Sequence, residues 1–94
     1  MQLITLTFDL AEEDREAFTA SAESLLSFWD DRGFTVSLFQ DASHPEKFTQ
    51  LFLTEKSVDD FTDVIQNDPE TRVAFESLRE MAGHVVISVM ERIV

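Results

Sequence analysis

Two hydrophobic periods succeed one another along this chain, and their order leaves few folds open. Residues 2–8 alternate, with Ile4, Leu6 and Phe8 on one side and Leu3, Thr5 and Thr7 on the other, which is the period of a strand. From Leu10 to Asp31 the period lengthens: Phe18, Ala22, Leu25 and Trp29 recur at spacings of four, three and four, one face of a helix. Asp9 is placed to cap that helix, Glu12 favours its N-terminus, and Gly33 supplies its left-handed stop. Residues 34–40 alternate again, Phe34, Val36 and Leu38 against Thr35, Ser37 and Phe39. A loop follows at 41–46, where Pro45 pushes His44 into extended geometry, and a third strand is expected over 47–54.

Ser57 and Asp60 open a second helix in a Ser-x-x-Asp arrangement, with Phe61, Val64 and Ile65 as its apolar stripe. Asp68 as cap and Pro69 at the first helical position restart it as a separate piece. Val73, Ala74, Leu78, Met81 and Ala82 line that piece until Gly83 ends it. His84 to Val94 is rich in Val and Ile and reads as the last strand. The order strand, helix, strand, strand, helix, strand defines an α+β, ferredoxin-like βαββαβ domain over residues 1–94, with helices on one face of a four-stranded antiparallel sheet.

Charge and composition remove whole classes of function. Seven Lys and Arg stand against nineteen Asp and Glu, a formal charge of −12 at pH 7, so neither nucleic acid nor an anionic membrane is an expected partner. The absence of cysteine excludes disulfides, thiol catalysis and thiolate metal sites. No apolar run is long enough to span a bilayer, and the first residues lack the pattern of a signal peptide; a soluble, cytoplasmic protein is expected. The acidic runs at 12–14, 30–31 and 59–60 read as solvated helix ends. The two histidines, His44 and His84, sit in unlike contexts far apart in sequence, so no metal site is expected, and no cofactor.

Splitting each strand into its two faces puts Ile4, Leu6, Phe8, Phe34, Val36, Leu38, Leu51, Leu53, Val85, Ile87 and Val89 beneath the helices. Leu3, Thr5, Thr7, Thr35, Ser37, Phe39, Phe48, Gln50, Phe52, His84, Val86, Ser88 and Met90 then share the other face. Strand three is apolar on both sides, so its two sets can exchange. A solvated sheet face would carry more charge than this second face does. It fits a homodimer interface in which two sheets pack together, and also an apolar pocket with a few polar groups. The candidate ligand-binding residues are Thr5, Thr7, Ser37, Phe39, Gln50, Phe52, His84, Ser88 and Met90. Among them His84 is the one candidate acid, base or ligand.

The element order and the residues Gly33-Phe34, Phe39-Gln40-Asp41, Pro45, Phe48, Thr54-Glu55-Lys56-Ser57, Asn67-Asp68-Pro69-Glu70 and Phe75 resemble the dimeric α+β barrel superfamily. Within it they look most like the antibiotic-biosynthesis monooxygenase type of domain. The resemblance implies a homodimer built from paired sheets. It also implies a small apolar, aromatic or quinone-like ligand and cofactor-independent monooxygenase chemistry, although other members bind haem. Where such domains often carry Glu, Trp and His, this chain has Phe52, Thr54 and Asp63, so no catalytic residue is carried over. The alternative expectation is a non-enzymatic ligand-sensing or dimerisation module, since one fold serves many functions.

Overall fold

A computed structural model describes residues 1–94. The elements are β1 (Gln2–Asp9), α1 (Glu12–Ser24), α2 (Leu26–Asp31), β2 (Phe34–Gln40), β3 (Lys47–Thr54), α3 (Val58–Asn67), α4 (Pro69–Ala82) and β4 (Val85–Glu91). The strands form one antiparallel sheet in the order β2-β3-β1-β4. This is the expected ferredoxin-like arrangement.

Most local signals act as the sequence predicts. Gly33 and Gly83 adopt φ values of 87° and 72° and stop α2 and α4. The Ser57 hydroxyl accepts from the Asp60 amide, and the Asp60 carboxylate accepts from the Ser57 amide, so the capping box is complete. Asp68 caps α4 by accepting from the Glu70 amide at 3.0 Å, with Pro69 in the first turn.

Three local expectations are corrected. Asp9 does not cap α1; its carboxylate lies 3.6 Å from Lys47 Nζ across the β1–β3 pair, and the cap position falls to Ala11 without a side-chain bond. The long first helix is two helices, parted at Leu25 (φ −100°, ψ 0°). There the Ser24 hydroxyl donates to the Ser21 carbonyl at 2.7 Å and Leu25 bonds back to Ala22, tightening the turn. In α4, Val73 is exposed, and Thr71 occupies the buried position with its hydroxyl on the carbonyls of Val64 and Asp68.

The larger correction concerns β3. Ile4 stands opposite Phe52 and Leu6 opposite Gln50, and Val36 and Leu38 face the same two residues from β2. Phe48, Gln50, Phe52 and Thr54 therefore lie under the helices, and Thr49, Leu51 and Leu53 lie outside, the exchange of the two sets. Ring volume decides it. Trp29 meets Phe34 and Phe52 edge-on at 5.4 and 5.0 Å between ring centres and stacks on Phe61 at 5.5 Å. Phe8, Phe18 and Phe48 form a second aromatic group beside it. Leucines at 51 and 53 could not supply these edges. Thr54 fixes the end of the strand, its hydroxyl donating to the Gly33 carbonyl at 2.8 Å and accepting from the Lys56 amide at 2.9 Å.

On the outer face three cross-strand rows result: Thr35, Leu53, Leu3 and Met90; Ser37, Leu51, Thr5 and Ser88; Phe39, Thr49, Thr7 and Val86. None of these residues is charged. Phe39 is 57% exposed, an unusual state for so large a ring in an isolated chain.

Candidate functional site

Sheet and helices enclose one small cavity. Its floor is Leu6, Gln50 and Phe52 from β1 and β3; its roof is Phe18, Ala22 and Trp29 from α1 and α2, with Ile65, Ala74, Phe75 and Leu78 from α3 and α4. The helices supply small residues where they cross, Ser21 and Ala22 on α1 opposite Ala74 on α4, and this leaves space that larger side chains would fill. The lining is otherwise apolar, the mixture usual in small-molecule sites.

Gln50 is the chemically distinctive member. It sits in the middle of the sheet between Leu38 and Leu6 and is only 8% exposed. Its side-chain amide makes no hydrogen bond to the protein but keeps access to the cavity it borders, whereas the one fully buried side-chain atom without a partner is Gln2 Oε1. A primary amide offers two donors and an acceptor, so from the cavity it can bond a water or a ligand oxygen. Thr71 is different, because its proton is already given to backbone carbonyls.

The cavity as it stands measures about 40 Å³. That admits water but no aromatic ring, for which roughly 150 Å³ is needed. Phe75 and Ile65, both half-buried, form the wall between it and an open groove outside. Outward rotation of these two side chains would join the spaces.

The nine residues expected to bind a ligand are distributed over two faces. Gln50 and Phe52 line the cavity. Thr5, Thr7, Ser37, Phe39, Ser88 and Met90 lie on the outer face of the sheet. His84 lies just before β4, exposed and outside the cavity. The swap in β3 separates the two groups. Sequence reasoning missed Trp29, Phe75 and Thr71 as cavity residues; the helical spacing put Trp29 in the core but could not say that the core holds a space.

No ionisable side chain lines the cavity. The two carboxylates held below their ordinary value of 3.8 are elsewhere. Asp41 is lowered chiefly by the amides of Ser43 and His44, which donate to it at 2.8 and 2.9 Å and close the loop between β2 and β3. Asp60 is lowered by the amide and then the hydroxyl of Ser57 in the capping box. Both groups are exposed and structural. Nowhere do three His, Asp or Glu side chains converge as a metal site requires, and no helix is long and apolar enough to cross a membrane.

The sequence matches no family model and no curated protein. Solved structures do resemble it. A conserved protein of Methanosarcina mazei superposes with a TM-score of 0.82 at 17% identity, over 97% of this chain and 91% of its own. A proposed antibiotic biosynthesis monooxygenase of Deinococcus radiodurans gives 0.80 at 15% identity, over 98% and 92%. Another protein, named simply as an antibiotic biosynthesis monooxygenase, gives 0.80 at 10% identity over 100% of both chains. The chain thus shares its ferredoxin-like α+β fold with these proteins, antibiotic biosynthesis monooxygenases by name among them. At these identities the likeness concerns the fold, and function has to be argued from this chain's own residues.

Proposed function

We propose that residues 1–94 form one small-molecule-binding domain, paired as a homodimer through the outer sheet faces, that takes an aromatic or quinone-like ligand between sheet and helices. The observation that carries this reading is Gln50, a residue only 8% exposed whose amide opens onto a mostly apolar cavity and makes no hydrogen bond to the protein. A ligand oxygen would give that amide the hydrogen bond it lacks, while Trp29, Phe52 and Phe75 would offer ring faces and edges. The names borne by two of the similar structures support a monooxygenase as the reaction class. The reaction proposed is oxygenation of a quinol-type substrate by dioxygen without a cofactor, in which one oxygen atom replaces a ring hydrogen as a hydroxyl, the quinol itself is oxidised to the quinone, and the other oxygen atom leaves as water. The substrate's own acidic hydroxyl would supply the electron-rich anion, and the protein would orient it and exclude water.

Trp29, the single tryptophan, reports on the cavity. Titration with 1,4-naphthoquinone should quench its fluorescence to saturation at one ligand per chain. Gln50→Leu should weaken binding by about tenfold, the loss of one buried hydrogen bond. Quenching that never saturates, or is the same in the variant, overturns the reading.

The small size of the cavity favours a second reading, a ligand-sensing or dimerisation module without turnover. Oxygen consumption with the corresponding naphthohydroquinone separates the two. An enzyme consumes it faster than the uncatalysed solution does, and a sensor binds without doing so.

A further inference from the structure

The open groove outside Phe75 has a chemistry of its own. The helix-side face of β4 is poorly covered: Ile87, opposite the buried Leu6, is 52% exposed, and Val89, opposite the buried Ile4, is 43% exposed. The groove between α3, α4 and β4 has a volume of about 400 Å³ and an apolar floor of Phe61, Ile65, Phe75 and Ile87. Arg72 and Arg79 line its rim. They are seven residues apart on α4, two helical turns and so on one face, separated by about 10 Å of rise that two extended side chains can close.

These arginines are distinctive in a chain carrying −12. Arg32 pairs with Asp68, and Lys47 with Asp9; Arg72 and Arg79, like Arg15, Lys56 and Arg92, have no carboxylate within 4.0 Å, and they are the two that flank an apolar groove together. Glu76 lies between them at the groove, at spacings where helical ion pairs form readily, yet it engages neither. The rim therefore keeps a net positive charge over an apolar floor.

We propose that this groove selects an amphipathic anion: an apolar ring lies over Phe61, Phe75 and Ile87, and a carboxylate or sulfonate at its end meets Arg72 and Arg79. The proposal rests on the reading of the adjoining cavity as a ligand site and adds the charge of the ligand to it. Guanidinium groups suit planar oxyanions, and here two of them stand on one helix face beside an apolar floor. The groove also opens on the helix side of the sheet, away from the face assigned to pairing.

Two dyes that differ by one sulfonate test the proposal: 1-anilinonaphthalene-8-sulfonate and its neutral parent N-phenyl-1-naphthylamine. On the full chain the anionic dye should bind more tightly, despite the net charge. Arg72→Gln with Arg79→Gln should weaken it roughly tenfold, as expected for two exposed ion pairs, and leave the neutral dye unaffected. Methyl NMR shifts of Ile65 and Ile87 should follow the anionic dye. If the neutral dye binds as tightly or the variant changes nothing, the anion preference is wrong while naphthoquinone binding at Gln50 can still stand. If the dyes and naphthoquinone all fail to bind, both readings fall. Shifts at Ile65 and Ile87 that depend on protein concentration without dye would show a second copy in the groove and overturn the proposal.

Discussion

Gln50 is where stability and function oppose each other. Replacing its amide by the similar volume of leucine removes a mostly buried polar group that no protein group bonds, so Gln50→Leu should leave stability unchanged or raise it by up to about 1 kcal/mol while weakening ligand binding. Urea denaturation checks the first effect, and a destabilised variant would mean that the amide has a partner in solution. Trp29 behaves oppositely. It touches Phe28, Phe34, Phe52 and Phe61, so Trp29→Ala should cost about 3–5 kcal/mol, measurable by urea denaturation followed by circular dichroism. The presence of both residues could be read from the sequence. Their meeting could not, because Gln50 reaches the cavity only through a pairing choice made along a whole strand.

Elements that rest on near neighbours were readable, and those that rest on distant ones were not. The Ser57–Asp60 box and the Asp68-Pro69 start need only a few consecutive residues, so their spacing announces them. Ser57→Ala should cost about 1 kcal/mol by losing the cap of α3. It should also alter the pH dependence of unfolding. Asp60 is held below its ordinary value of 3.8 by the Ser57 amide and hydroxyl. Its stabilising contribution is therefore fully present above that value and lost as pH falls through the lower folded-state value. Acid unfolding below about pH 4 should be shallower in the variant, since the hydroxyl that favours the charged carboxylate is gone; equal slopes would contradict this. β3 offered no such local signal. Its two faces carry comparable apolar content, and only the aromatic cluster around Trp29 selects one of them.

For the whole molecule, three uncharged rows on the outer face of the sheet call for a cover. Leu51 lies in the middle row beside Thr5 and Ser37, and in the proposed dimer Leu51→Glu would place a carboxylate in the paired face. Sedimentation velocity should find a dimer for the natural chain and a monomer for this variant; a monomer for both removes the pairing from the proposed function. Because each chain carries −12, added salt should tighten the dimer by screening the repulsion between protomers.

The order of elements, the helix stops, two of the caps and the absence of thiol chemistry follow from the order of residues, because each depends on local period, local backbone geometry or composition. Packing settled the rest. It chose the face of β3, carried Gln50 and Phe52 from the outer surface to the cavity, and set Arg72 and Arg79 above the uncovered Ile87. Each of these turns on which distant side chains fit together in three dimensions, a competition among volumes that no local window contains.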